Sequence, residues 1–436
     1  MTTQEPGRVR YALVGTGSRA TMYIDAICGT YAAHCDLVAL CDTSPVRISY
    51  HNRRAAERYG RAEVPGYAAR DFGGMLRRES PDVVIVTTVD AYHHHYIVAA
   101  LEGGCDVVTE KPMTTDADKV AAILSAVERT GRSVRVTFNY RYSAAYTRVR
   151  QLVAEGAVGI PHLVDFSWTL DTSHGADYFR RWHREKPMSG GLLVHKASHH
   201  FDLVNWWIGS WPETVYALGS LSFYGRAAAA GRGESYPYSR YTGQADGDPF
   251  ALDLTRSPML RGLYLEAEEQ SGYLRDRNVF GDEISIEDTM IVAARYRSGA
   301  LLSYSLVAYS PWEGLRVAIT GDRGRVELYE RHGAHVIEQT PTGHPSGAGT
   351  ERRIRLFPMF RSPVEIEIPP AGGPHAGDNV MLEQIFAPSP PPDPWDRAAS
   401  HLDGAAAVLL GAAANRALAE GVPVRLDQLT DTPAGR

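Results

Sequence analysis

The chain has 436 residues, 44% hydrophobic and 22% charged, the balance of an ordinary globular protein long enough for two or three domains. Its 45 Lys and Arg against 51 Asp and Glu give a net charge of −6, which excludes the basic footprint of a nucleic-acid binder. It contains no apolar run of about 18 residues, so no membrane-spanning helix is expected. The opening "MTTQEPGRVRYALVG" lacks a charged segment followed by an apolar one, which points away from a secretion signal and toward a cytoplasmic protein. Cys28, Cys35, Cys41 and Cys105 include no Cys-x-x-Cys pair and read as reduced thiols, not a disulfide framework or a zinc knuckle.

From Val9 to about Asn139, strand-like runs ("VRYALVG", "LVALCD", "DVVIVTT", "DVVTE", "SVRVTFN") alternate with helical ones ("SRATMYIDAI", "VRISYHNRRAAERYG", "HHHYIVAALEGG", "DADKVAAILSAVERTG"). Continuous apolar strands separated by helices predict a parallel sheet covered on both faces, a Rossmann domain over residues 1–142. The first strand runs into "GTGSRA" (Gly15, Thr16, Gly17, Ser18, Arg19, Ala20). Gly15 makes the tight turn, Gly17 admits a pyrophosphate to the backbone, and Ala20 lets the helix pack closely on the strand. Asp42 ends the second strand about twenty residues beyond Ala20, where it would bond ribose hydroxyls and repel a 2′-phosphate. NAD is therefore expected over NADP, with Arg47 close enough to soften the preference.

After the third core strand come Thr88 and Asp90, the latter expected as a helix N-cap, and then "HHH". Adjacent helical residues face different ways, so His93, His94 and His95 cannot converge on one metal. His93 would stand in the first turn near the cofactor, and His94 and His95 at the surface or in packing. The next strand ends in Glu110, Lys111 and Pro112. A lysine at a strand's C-terminal end, beside an oxidised nicotinamide, would have its ammonium disfavoured and could exchange protons with a substrate hydroxyl; the alternative is a solvated surface lysine.

From about Ser143 the texture changes to alternating strands with Gly-rich turns: "HLVDFSWTL", "TVYALGSLSFY", "DTMIVAARYRSGALLSYSLVAYS", "GLRVAITGDRGRVELYE", "RRIRLFPMF" and "VEIEIPP". They predict a second, α+β domain over 143–436 with a large, mostly antiparallel open sheet. A Tyr- and Arg-rich insertion at about 225–283 reads as a lid or an interface arm. "PTGHPSGAGT" reads as a flexible turn, "APSPPPDPWD" as an extended linker, and residues 402–420 as a helix. "GGLLVHKASHHFDLVNWWIG" (Gly190 to Gly209) reads as one helix. His195, His199, Asp202 and Trp206 share its front stripe, Ala197, Phe201, Val204 and Ile208 its apolar back, and Lys196, His200, Leu203 and Trp207 lie between. In the segment before it, Arg181, Trp182 and His183 are candidates for lining a sugar pocket.

His93, Leu101, Glu110, Lys111 and Pro112, with Asn139 after the next strand, resemble the Gfo/Idh/MocA oxidoreductase family in type and spacing. The resemblance is strongest over 9–142 and covers most of the chain except roughly 225–283 and 331–400. It implies a cofactor site built from Gly15, Thr16, Gly17, Ser18, Arg19, Asp42, Thr88, Asp90, His93, Glu110, Lys111 and Asn139. It also implies catalysis by Lys111, His199 and His195, and substrate contacts from Lys111, Arg181, Trp182, His195, Lys196, His199 and Asp202. The family pattern D-x-x-x-H-x-x-D has His195 in its first position here, a departure that leaves three options open. His199 is oriented by Asp202 or another carboxylate, or His195 shares the proton work, or His195 and Lys196 bind a particular substrate.

The leading expectation is an NAD-dependent oxidoreductase acting on a secondary hydroxyl of a sugar, glycoside or cyclitol, paired through its sheet as a homodimer or homotetramer. The alternatives are a glycoside-cleaving enzyme that oxidises its substrate transiently, a silent sensor or repressor, and, against expectation, a metal hydrolase gripping zinc with His195, His199 and Asp202.

Overall fold

The computed structural model describes residues 7–245, 247–333, 351–370 and 376–429; the segment "PTGHPSGAGT" lies outside the described residues. The N-terminal sheet joins β1 (Val9–Val14), β2 (Cys35–Asp42), β3 (Gly66–Ala68), β4 (Val83–Val86), β5 (Asp106–Thr109) and β6 (Val134–Val136) in the order β3-β2-β1-β4-β5-β6. All its pairs are parallel. Helices α1 (Ala20–Asp25), α2 (Pro45–Tyr59), α3 (Phe72–Glu79), α4 (His93–Glu102) and α5 (Ala117–Thr130) lie in the crossovers, so the Val-, Ile- and Leu-rich strands are covered on both faces. The order reverses between β1 and β4, which opens a crevice at the strands' C-terminal ends. Gly15 stands at that point with φ +91°, and a Cβ there would fall 2.6 Å from the Thr88 amide nitrogen. Only glycine fits. The expected first helix is shorter than its sequence pattern, because Ala26–Thr30 continue it as a π turn.

After α6 (Ala144–Ala154) the second sheet is built from β7 (Pro161–Asp171), β8 (Pro212–Ser220), β9 (Thr289–Tyr296), β10 (Leu301–Ser310), β11 (Glu313–Gly321), β12 (Gly324–Gly333), β13 (Glu351–Pro358), β14 (Val364–Ile366) and β15 (Val424–Arg425). Its order is β14-β13-β12-β11-β7-β10-β9-β8-β15, parallel at β7–β10 and antiparallel elsewhere. Along β7, Val164, Phe166, Trp168 and Leu170 are buried in strict alternation, the mark of a sheet with one face on a core. Between β7 and β8 lie α7 (Thr172–Arg180), α8 (Lys186–Ser189), α9 (Leu192–His195) and α10 (Ala197–Ile208). The predicted single histidine helix is thus two helices broken at Lys196.

The 225–283 insertion is ordered by its own polar network. It carries α11 (Arg226–Gly231), α12 (Pro258–Leu260) and α13 (Glu268–Ser271). Arg240 bridges Glu268 and the fully buried Asp276, and Arg275 pairs with Asp177 of α7 at 2.7 Å. The last segment returns to the first domain. A helix the sequence reading did not anticipate, α14 (Ala376–Phe386), sets Phe386 edge-on to Tyr11 at 5.1 Å. The "APSPPPDPWD" stretch that follows has no helix or strand. The alanine-rich α15 (His401–Glu420) then packs on α9, α10 and α5, so close to α9 that a Cβ on Gly411 would meet the Leu193 carbonyl oxygen at 2.4 Å.

Asp202 does not occupy the front stripe expected of it. Its carboxylate accepts from Arg141 Nε (2.8 Å) and Nη2 (2.6 Å), and Nη2 also donates to Asp403 of α15 at 2.9 Å. Both Arg141 and Asp202 are buried, so removing one leaves the other charge desolvated without its main partner. We expect Asp202→Ala to cost about 3 kcal/mol in urea unfolding, the lower end for a broken buried pair because Asp403 remains.

Candidate active site

A cleft of about 750 Å³ runs from the glycine loop, across the C-terminal ends of the first sheet's strands, to α9 and α10. At its glycine end Asp42 accepts from the Thr16 amide (2.6 Å), the Thr16 hydroxyl (2.9 Å) and the Ser44 amide (2.8 Å). The Thr16 side chain is therefore committed beneath Asp42 and, unlike the other expected loop residues, does not line the cleft. Arg47 stands 3.5 Å from Asp42 and donates to the Leu263 carbonyl at 3.0 Å. Arg19 Nε reaches Glu110 at 2.5 Å, and the Tyr23 hydroxyl donates to the same oxygen at 2.7 Å. Burial alone would raise the Glu110 pKa, but the Arg19 charge and these hydrogen bonds outweigh it and hold the carboxylate ionised. Asn139 Nδ2 donates to Asp378 of α14 at 2.8 Å.

These residues fit a dinucleotide. The Gly15 turn excludes any side chain, Gly17 and Ser18 line the cleft, and a carboxylate ends the second strand. The insertion reaches into this end: the Tyr264 phenol accepts the Ser18 amide at 3.0 Å and donates to the Ser18 hydroxyl at 3.0 Å.

At the other end Lys111, joined to Pro112 by a cis peptide bond, donates through Nζ to the His195 carbonyl at 3.1 Å. Burial lowers its pKa to about 8, against a smaller opposing pull from Asp90. His195 Nδ1 lies 2.5 Å from Asp90 Oδ2. Burial pushes the carboxyl of this pair up and the imidazole down, toward uncharged forms that share one proton between Oδ2 and Nδ1. Asp90 is thus not the expected N-cap: Tyr92 precedes α4, no side-chain cap bond is formed there, and the carboxylate is spent on His195.

His199 stacks on Tyr140 (4.2 Å between centroids, 12° between planes), and its Nδ1 is buried with no partner among the described residues. Lys196 Nζ donates to the Tyr140 hydroxyl at 3.0 Å and lies 4.5 Å over the Trp168 ring. His93 is held between carbonyls, Nδ1 at 2.9 Å from Pro112 and Nε2 at 3.1 Å from Thr88. Trp182 stacks on His183 at 3.6 Å, and Arg181 donates to Asp177 at 3.1 Å.

The cleft therefore gathers Gly15, Gly17, Ser18, Arg19, Asp42, Thr88, Asp90, His93, Glu110, Lys111, Asn139, Arg181, Trp182, His195, Lys196 and His199. It leaves out Thr16 and Asp202, and His200 is a core residue, bonded to Tyr304 at 2.8 Å and stacked on Trp168. With Asp202 turned to Arg141, the three-ligand grip on a zinc ion has lost its carboxylate. Sequence reasoning missed Tyr140, Tyr178, His174, Glu313, Tyr264 and Tyr273. The i, i+4 spacing of His174 and Tyr178 was the one available signal among them; the others are brought in by tertiary folding.

Two outcomes follow from this geometry. Lys111 must be neutral to accept a proton. Because burial moves its midpoint down to about 8, kcat/KM for oxidation of a hydroxyl should rise as pH climbs through that value, and Lys111→Met should remove the limb. Asp90→Asn, which replaces the proton-sharing carboxyl with an amide, should lower kcat about 100-fold while leaving the dissociation constant of the nucleotide, read by fluorescence quenching, within about threefold.

Residues 9–138 match a sequence profile described as "Oxidoreductase family, NAD-binding Rossmann fold", and residues 150–426 match its companion "Oxidoreductase family, C-terminal alpha/beta domain". YteT of Bacillus subtilis (strain 168), named as an oxidoreductase, is 35% identical over 431 residues, 95% of this chain and 97% of that protein. Inositol 2-dehydrogenase of Rhizobium meliloti (strain 1021) is 27% identical over 213 residues, 49% of this chain and 59% of the relative. Among solved structures, the WlbA dehydrogenase of Bordetella pertussis in complex with NADH and UDP-GlcNAcA superposes with a TM-score of 0.61 at 18% identity, over 96% of this chain and 98% of that one.

Proposed function

The chain belongs to the Gfo/Idh/MocA oxidoreductase family, and from that premise we propose that it oxidises a secondary hydroxyl of a sugar, glycoside or cyclitol with NAD. The observation that carries the reading is one cleft with a glycine turn at one end and, at the other, a half-buried Lys111 among the buried His195, Asp90 and His199. When bound, the nicotinamide supplies the hydride acceptor. Gly15, Gly17, Ser18 and Arg19 hold the diphosphate end. Asp42 favours NAD by charge: its Oδ2 is saturated by Thr16, and its Oδ1, held by the Ser44 amide at 2.8 Å, has a 3.3 Å contact from the Thr43 hydroxyl and the Arg47 pairing to exchange for a ribose hydroxyl. Thr88, His93, Glu110 and Asn139 shape the wall between the two ends.

Lys111 Nζ takes the hydroxyl proton, its neutral form made accessible by burial. His195, turned by Asp90, and His199, with its ring fixed against Tyr140, hold the carbinol oxygen and its neighbours. In this reading Asp90, arriving from the first domain, does for His195 what an aspartate one helical turn before His199 would do. Lys196, Arg181 and Trp182 contact the remaining hydroxyls.

A second reading, cleavage of a glycoside through transient oxidation, is favoured by one observation: His174 and Tyr178 add further acid–base groups to the same cleft. We also assign the open face of the second sheet, where Leu218 and Ile291 pair across strands and are half exposed, to contact with a second copy of the chain. Light scattering that gives the mass of one chain would refute that assignment.

The experiment is incubation with NAD and a panel of methyl glycopyranosides, free sugars and inositols, with NADH absorbance and product masses followed together. A ketone two mass units lighter, in step with NADH, is the expected result, and Lys111→Met should slow it by about a thousandfold. Absence of NADH across the panel, with no nucleotide bound in equilibrium dialysis, would overturn the reading.

A further inference from the structure

Lys196 is the most buried cation lining the cleft, 2% exposed, and it forms no ion pair among the described residues. Its Nζ donates to the Tyr140 hydroxyl at 3.0 Å and rests 4.5 Å from the centre of the Trp168 ring and 5.4 Å from that of Tyr140. A phenol and two ring faces offer partial charges only, so the ammonium is left without a counter-ion. The carboxylates around it are committed elsewhere. Glu313 is held on His174 at 2.9 and 3.0 Å. Burial would raise its pKa, but the hydrogen bond and charge of His174, and then the charge of Lys196, keep it ionised. Across the cleft Asp177 is shared by three guanidiniums, Arg275 at 2.7 Å, Arg181 at 3.1 Å and Arg180 at 3.8 Å. Asp90 shares a proton with His195 and adds no full negative charge. Lys196 and the three guanidiniums thus face two carboxylates, and this end of the cleft has an excess of positive charge.

The imidazoles report a field of the same sign. Burial pushes His183, His195 and His199 down first, and the charges of neighbouring cations, Lys111 in all three cases, push further the same way. A neutral sugar would leave the excess unanswered, because hydroxyls bring dipoles and no counter-charge. Lys196 joins α9 to α10 directly after His195, whose carbonyl holds Lys111 Nζ at 3.1 Å. The lysine that takes the hydroxyl proton and the unpaired ammonium are therefore held by adjacent residues, and one ligand in the cleft meets both. For Lys196 the hydroxyl contact assigned above is the lesser part of its role.

We propose that the sugar oxidised in this cleft carries a carboxylate, as a uronic acid or uronoside does, and that Lys196 Nζ pairs with it. The proposal rests on the oxidoreductase reading and narrows its substrate class. Of the three N–H groups on Nζ, Tyr140 takes one and the aromatic faces cover a second, which leaves one for a carboxylate oxygen. In so desolvated a corner a charge-assisted hydrogen bond is worth far more than at the surface. A lone ammonium against an aromatic wall suits a monoanion. A phosphate dianion calls for a guanidinium fork beside it, and Arg181 is turned to Asp177. A methyl ester keeps the shape of the acid and removes its charge, so it isolates the contribution of the pair.

The test measures kcat/KM with the whole enzyme and NAD on matched sugars. They are the methyl glycosides of glucuronic, galacturonic and mannuronic acid, their methyl esters, the neutral methyl glycosides and the hexose phosphates. For the best acid, kcat/KM should exceed that of its ester and of its neutral counterpart by about a hundredfold. In Lys196→Met that advantage should fall to about threefold or less, and Lys196→Arg should keep most of it, a split that a merely structural role would not give. NADH formed equally from acid and ester by the wild type, or an undiminished advantage in Lys196→Met, would overturn the proposal and leave the oxidoreductase reading standing. A hexose phosphate preferred to every acid would overturn it in the same way. NADH from no acid would overturn it too. NADH from none of the sugars, with no nucleotide bound in equilibrium dialysis, would overturn that reading as well.

Discussion

The arrangement of the site depends on a 2.5 Å contact between Asp90, which follows β4 of the first domain, and His195, which ends α9 of the second. Neither group can be buried alone at acceptable cost, so each fixes the other's position. The contact brings the broken helix against the crevice of the Rossmann sheet, and Lys111 completes the junction by donating to the carbonyl of the same histidine. Three titratable groups from two domains, Asp90 and His195 buried and Lys111 half-buried, then share one low-dielectric volume. Burial there lowers the lysine and the imidazoles and raises the carboxyl, which is the condition under which protons move between them at ordinary pH.

Much of this was legible from residue type and spacing. The parallel sheet, its glycine turn, Asp42 and the Glu110-Lys111-Pro112 strand end are local features, each enforced by backbone geometry within a few residues. What the sequence could not carry is pairing over distance. Periodicity set Asp202 in line with His195 and His199, but a break at Lys196 and the pull of the Arg141 guanidinium took it elsewhere. Asp90 sat where a cap belongs and instead spans 105 positions to its histidine. The N-terminal glycine loop likewise gave no hint that a phenol 246 positions away would occupy the Ser18 amide.

The insertion changes the meaning of the cleft's edge. Its Tyr264 on Ser18, Arg47 on the Leu263 carbonyl and Arg275 on Asp177 bind it to both domains. A segment anchored by hydrogen bonds at three points is a wall of the site and not an ornament on it. The glycine loop is therefore built in part by residues from the second domain.

The return of the chain's end to its beginning has a consequence for biosynthesis. Phe386 completes the apolar cluster around Tyr11, Ile27 and Cys28, and the Cys35 thiol faces the Phe386 carbonyl 351 positions later. On the ribosome, the first domain emerges with that flank uncovered and must wait for nearly the whole polypeptide before it closes. At translation rates of about 5–20 residues per second the exposed interval lasts tens of seconds, long enough for a chaperone to bind. Nascent chains truncated before α14 would then be the aggregation-prone species, although they contain every strand of the nucleotide-binding sheet.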